Sequence, residues 1–285
     1  MSELRAAGSL DVIGALRAER DAFVGLLAAL EPAEWELPTE CPAWSVKGVA
    51  LHVLGDDFSL LSRQRDSATN SLELMAQEKP GWDFRRLLDG FNEAWVHRAS
   101  FMSTRLVREL LELTGQLTSD FYAAVDPDVL GEPVFFVGPA PAPYWMIAAR
   151  EYAERWIHHL QVARATAREG PVQIPLVAPA VAAIMRGFPA AMAALPAPPG
   201  EAVSFVLDGS GEAWTVVNED GGWRLYDGVD ANAAVRLGLS PETAAGLFSR
   251  GLDRETILSK LEPTGDANLG TAVRDGLAAV FARTE

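Results

Sequence analysis

The chain has 285 residues, 49% of them hydrophobic, which suffices for one large domain or two of ordinary size with proper cores. Its 39 Asp and Glu against 24 Lys and Arg give a formal charge of −15, which repels phosphate backbones and anionic membrane surfaces and argues against nucleic acid as a partner. A single cysteine, Cys41, excludes an internal disulfide, and neither a signal-peptide stretch nor a run of roughly 20 apolar residues suited to spanning a membrane is present, so the expected location is the cytoplasm.

Four long segments upstream of residue 170 read as amphipathic helices. Leu10–Leu30 carries apolar residues at Val12, Ile13, Leu16, Phe23, Leu26 and Leu27, and Pro32 ends it. A second helix begins after Pro42, with Ser45 as N-cap, and runs through His52 to about Arg65. Trp82–Phe101 is the third, and Ser103 caps a continuation carrying Leu106, Val107, Leu110, Leu111 and Leu113. The fourth starts at Pro143, suited to a first helical turn, and continues to about Arg168, where Gly170 and Pro171 stop it. Residues 1–170 are therefore expected to form a four-helix bundle.

Composition shifts near Arg168–Pro175 (REGPVQIP), and the domain boundary is placed there. An Ala-rich helix near 176–195 leads through the Pro-rich joint Leu195–Gly200 into AVSFVLDG and AWTVVNE, whose alternation suits half-buried strands. Glu219-Asp220-Gly221-Gly222 reads as a tight turn into GWRLYDG, and AAVRLGLS supplies a fourth strand. Pro241–Phe248, capped by Ser240, then Glu255–Leu261 and Asn268–Ala282 read as helices. Residues 175–285 are thus expected to be α+β, an antiparallel sheet covered by helices.

Chemistry points to three side chains. Glu154 and His158 lie four apart in REYAERWIHHLQVAR and share a helix face with Ile147, Glu151, Gln161 and Ala165, opposite Ala149, Ala153, Trp156 and Leu160. Alone, such a stripe is what a solvated helix face looks like. His52, inside the apolar run VALHVL, instead faces a bundle interior, where on its own helix it reads first as a buried neutral histidine bonded to a neighbour; together the three suit a two-His-one-carboxylate metal site built from several helices. His159 points away from Glu154 and reads as a packing or surface residue; Asp56, one turn beyond His52, reads as an orienting group or a solvated acid, and Asp57 as a surface charge. His97, with only Glu93 at metal spacing, reads as a surface or satisfied core histidine, Cys41 as a small buried residue, and Trp44, Trp145 and Trp156 as core, one of them available to wall a pocket.

The segment PTECPAWSVKGVALHVLGDD resembles the entry motif of the mycothiol-dependent maleylpyruvate isomerase family, within the wider DinB-like metal-binding bundles, and REYAERWIHH resembles its second metal motif. The C-terminal LEPTGDANLGTAVRDGLAAVF is similar to the sterol-carrier-like domain that many such proteins append. Ala43 and Lys47 stand where the family usually has Gly and Asp. The resemblance implies that His52, Glu154 and His158 hold a divalent metal with one position open, zinc foremost, although nickel, manganese or iron suit the same ligands. It also implies mycothiol or a similar small thiol as cosubstrate and a small electrophile as substrate.

Two neutral imidazoles and one carboxylate leave a divalent ion with a net charge of +1, able to stabilise a thiolate, whereas free thiols ionise near pKa ~8.5. The expected reaction is isomerisation of a conjugated cis-alkene acid or S-transfer to an epoxide or halide. An arginine from the C-terminal domain is implied as well; Arg224, Arg236 and Arg250 are available, and no spacing singles one out. Two other readings use the same sequence: a non-catalytic protein holding an apolar or acyl ligand in the C-terminal domain, and a metal-dependent hydrolase with bound water as nucleophile.

Overall fold

The structure, a computed structural model, describes residues 4–195, 197–220 and 222–283; Pro196 of the Pro-rich joint and Gly221 of the expected turn lie outside them. Two compact units make up the chain, one of Leu16–Asp126 with His158–Gly170, the other of Met1–Ala15, Pro127–Ile157 and Pro171–Glu285. The first ends at Gly170, and the second joins the N-terminal residues and Pro127–Ile157 to the chain from Pro171 onward.

The first unit is helical. It comprises α1 (Ile13–Ala28), α2 (Val46–Leu60), α3 (Ser71–Glu78), α4 (Phe84–Ala99), α5 (Thr104–Ala124) and, from His158 onward, the end of α6 (Tyr144–Ala165). Side chains that accept backbone N–H bonds set the starts: Ser45 from Gly48 and Ser103 from Leu106, as expected, and Asn70 from Leu72 and Asp83 from Arg86. The third expected helix is two, because capping by Ser103 starts α5 as a separate helix, and the short α3 is an addition. α2 packs against α4 and α5, and ends in one π-helical turn, Leu61–Arg65. Phe23, Leu27, Val49, Leu54, Val107, Leu111 and Val162 form the core.

Close approach to α2 depends on missing side chains. A Cβ on Gly55 would stand 2.4 Å from Trp95 Nε1, the atom that donates to Leu51 O at 2.7 Å, so only glycine lets the indole cross the helix there. A charged layer interrupts the oil. Arg20 on α1 donates to both Asp57 oxygens at 2.7 and 3.1 Å and to Leu111 O at 2.8 Å, while the Thr114 hydroxyl donates to Asp57 Oδ2 at 2.6 Å. Asp57, read from sequence as a surface charge, is fully buried; a carboxylate withdrawn from water needs this ion pair and these hydrogen bonds.

The second unit carries the sheet. Its strands are β1 (Arg5–Ala6), β4 (Ala202–Leu207), β5 (Ala213–Glu219), β6 (Gly222–Asp227), β7 (Val235–Leu239) and β8 (Thr264–Gly265), in the order β1-β6-β5-β4-β7-β8; β2 (Leu130–Pro133) and β3 (Pro141–Pro143) form a separate hairpin that feeds α6. The four expected strands are present. Pairing is antiparallel except for β4 with β7, which are parallel because the chain after β6 returns to the far side of β4. Helices α7 (Ile174–Met185), α8 (Phe188–Ala191), α9 (Pro241–Phe248), α10 (Arg254–Lys260) and α11 (Ala267–Phe281) complete the unit.

The LEPTGDANLG segment has a backbone rationale. Gly265 has φ +105°, and a Cβ there would lie 2.1 Å from Ala234 O; Asp266 donates its N–H to that carbonyl at 2.8 Å and caps α11 by accepting from Leu269 N at 2.8 Å. Among the described residues, no helix is long and apolar enough to cross a membrane.

Candidate functional site

His52 sits in the middle of α2, flanked by Val49, Ala50, Leu51, Val53 and Leu54, all buried. Two rings frame it. The His158 ring meets it edge-on, with centroids 4.7 Å apart and planes at 80°, and the Trp44 indole stacks on it at 4.6 Å and 29°.

Trp44 reaches that place through the PTECPAWS segment, which folds back on the first turn of α2. Trp44 N donates to Cys41 O at 2.9 Å, its carbonyl accepts from the Thr39 hydroxyl at 2.8 Å, and the next residue, Ser45, caps the helix. Gly48 leaves the space this requires, since a Cβ there would be 2.9 Å from Trp44 Cβ. Lys47 donates to Ser100 O at 2.7 Å and so ties the start of α2 to the end of α4. Trp44 and Lys47 also line an open cavity of about 390 Å³ with Glu36, Glu93 and His97. His97 is exposed there.

α6 differs from a solvated helix. Glu151, His158, His159 and Gln161 are buried along with Tyr152 and Trp156, so the helix is covered on nearly all sides and its polar groups need protein partners. His158 Nδ1 lies 2.9 Å from Gln161 Oε1, and the Cys41 thiol donates to the same oxygen at 3.3 Å. Cys41 is therefore a half-buried, hydrogen-bonded thiol rather than filler. His159 turns to α1, where its Nδ1 is 3.2 Å from the fully buried Glu19 carboxylate and its ring packs at 5.4 Å on Phe23. At the helix end, Arg164 pairs with Glu40, and Arg168 grips Glu34 with two bonds at 2.5 and 2.9 Å, which holds the Glu34 carboxyl below the usual carboxylate range.

Of the three expected ligands, the fold brings His52 and His158 into ring contact from two helices. Glu154 is half-buried, one turn before His158 on α6. Among the described residues, no group of three or more His, Cys, Asp or Glu side chains is gathered to hold a metal ion. Two imidazoles are donors that suit a borderline divalent cation. Sequence reasoning passed over Gln161 and the Trp44 stack. Gln161 was visible only as a residue sharing a helical face with His158, and Trp44 lies outside the helix on which spacing arguments work.

Residues 16–163 match the family described as the mycothiol maleylpyruvate isomerase N-terminal domain. No curated protein matches the chain. Two solved structures, a mycothiol-dependent maleylpyruvate isomerase and a single-alanine variant of that enzyme, are each 12% identical to it, covering 90% of this chain and 92% of their own, with TM-scores of 0.47 and 0.48.

Proposed function

Because the chain belongs to the mycothiol maleylpyruvate isomerase N-terminal domain family, we propose that it is an enzyme that uses mycothiol or a similar small thiol to isomerise a small electrophilic substrate. The observation that carries this reading is the meeting of the His52 and His158 rings inside the stretch matched to the family. We assign His52, Glu154 and His158 as ligands of a divalent cation, zinc by preference. Such an ion, when bound, supplies positive charge that lowers the thiol pKa from ~8.5 and makes thiolate available at neutral pH.

The rest falls to the protein's own groups. Trp44 covers one face of His52 and limits its rotation, and the buried surface of α6 restricts water around His158. Thiolate addition to a conjugated cis-alkene acid forms a C–S bond and sends the alkene electron pair onto the carbonyl oxygen as an enolate. Rotation about the resulting single bond, return of that pair and loss of the thiolate give the trans isomer. With an epoxide or halide the same nucleophile gives S-transfer. The division of labour follows the sequence boundary, with thiol chemistry in residues 1–170 and an accessory role for 175–285, in a protein that works in the cytoplasm.

Mass spectrometry of the purified protein for metal and thiol, with His52→Ala as control, tests the assignment. Substitution is expected to lower metal occupancy sharply while circular dichroism stays helical; unchanged occupancy refutes it. Turnover of an electrophile panel that proceeds equally well without any thiol would identify water as the nucleophile instead and make the protein a hydrolase.

A second reading draws on a cavity of about 200 Å³ in the sheet unit, lined by apolar groups including Phe188, Met192, Phe205, Leu277 and Phe281. It favours an apolar or acyl ligand held without catalysis. Native mass spectrometry that finds such a ligand on a metal-free protein would support it.

A further inference from the structure

We propose that Gln161 is a positioning residue that fixes the proton of His158 on Nδ1 and leaves the lone pair on Nε2. A neutral imidazole carries one N–H and one lone pair, and the partner of one nitrogen decides which nitrogen has which. The partner of His158 Nδ1 is a carboxamide oxygen at 2.9 Å, which only accepts, so the proton is on Nδ1. In water the neutral ring favours the opposite tautomer, so the protein must supply the preference.

The carboxamide is itself oriented. Its oxygen also accepts from Cys41 Sγ–H at 3.3 Å, whereas a flipped amide would turn its N–H groups toward the thiol, a weak acceptor. With Gln161 only 7% exposed, water competes little for that oxygen. His159 shows the alternative within the same unit, since its Nδ1 faces a carboxylate, Glu19. At His158 a neutral amide does the same orienting job without bringing another negative charge beside the proposed cation. The chain Cys41–Gln161–His158 thus links the CPAW loop to α6 through one oxygen atom.

The tautomer stands on hydrogen-bond geometry alone; its purpose, presenting Nε2 as a metal ligand, rests on the function proposed above. Long-range ¹H–¹⁵N correlation spectra of the imidazoles in metal-free protein read the tautomer directly. The Nδ1–H form is expected to dominate His158 in the wild type and in Gln161→Glu, and to give way to the Nε2–H form in Gln161→Leu. In parallel, zinc affinity by chelator competition is expected to fall 10- to 100-fold in Gln161→Leu and to be retained in Gln161→Glu. Wild-type His158 protonated on Nε2, or a tautomer unmoved in Gln161→Leu, would overturn the proposal. Wild-type protein that binds no zinc yet shows the Nδ1–H signal would uphold the positioning role and overturn the metal assignment instead.

Discussion

Replacing Asp57 with alanine removes the hydrogen bonds it accepts from Arg20 Nη1 and Nη2 and from the Thr114 hydroxyl, and leaves the guanidinium in a core position with Leu111 O as its acceptor. Arg20 and Asp57 side chains are 5% and 0% exposed, so the charge left behind has almost no access to water. Stranding one member of a buried pair costs about 3–5 kcal/mol. The pair Arg17–Asp120 is the internal control: it joins the same helix α1 to α5 at 3.1 Å, but its side chains are 54% and 57% exposed. Asp120→Ala should therefore cost under about 1 kcal/mol. With a urea slope of about 1–3 kcal/mol per molar, Asp57→Ala should lower the midpoint of the helical unfolding transition by about 1 M or more at unchanged slope. The double substitution Arg20→Met with Asp57→Leu should recover most of the loss, since apolar replacement of a whole buried pair is often neutral or better. Equal midpoints for Asp57→Ala and Asp120→Ala would refute the reasoning, because burial would then have no bearing on what the pair contributes.

Two further substitutions probe the surroundings of the site. Gly48→Ala pushes a methyl group to 2.9 Å from Trp44 Cβ, so it should cost about 1–3 kcal/mol and change tryptophan fluorescence as the indole leaves His52; Gly25→Ala on α1, with nothing within 4 Å, should be neutral or stabilising. The Glu34 carboxyl is depressed chiefly by its hydrogen bonds from Arg168, so the pair stabilises the fold above the unfolded carboxylate value near ~4.3, and that contribution disappears as pH falls through the lower folded value. Arg168→Met should move the Glu34 titration, followed by carboxyl ¹³C shifts, back up into the ordinary range, and an unmoved titration would show that Arg168 is not the cause.

What the letters disclosed and what they hid follows from distance along the chain. The starts of α2 and α5 were readable because Ser45 and Ser103 act on residues three positions away, and α9 spans the residues its cap and proline announce. β2 and β3 were missed because Pro133, Pro141 and Pro143 argue against strands, a signal that a two-stranded hairpin tolerates. His52 was readable as inward-facing from its apolar neighbours, whereas the face of His158 looked like a solvated stripe, and the ring contact between the two is visible only in the fold. Asp57 was misread because Asp56-Asp57 looks like a wet acidic pair, while the residue that explains it, Arg20, is 37 positions upstream on another helix. Gln161 had the same difficulty: its spacing from His158 was visible, but its second partner, Cys41, is 120 positions away in a loop that helix periodicity does not describe.

The Arg20–Asp57 contact also governs where His52 stands. Both residues of that pair find partners only when α1 and α2 are set at one height along the bundle, and a slip by a single turn, about 5.4 Å, would pull the opposite charges apart in hydrocarbon. Hydrophobic packing alone tolerates sliding by gradual compromise; a charged rung does not. The elevation of the imidazole five residues before Asp57 is thereby quantised, and a neighbour seeking it from α6 finds it at one level of the stack.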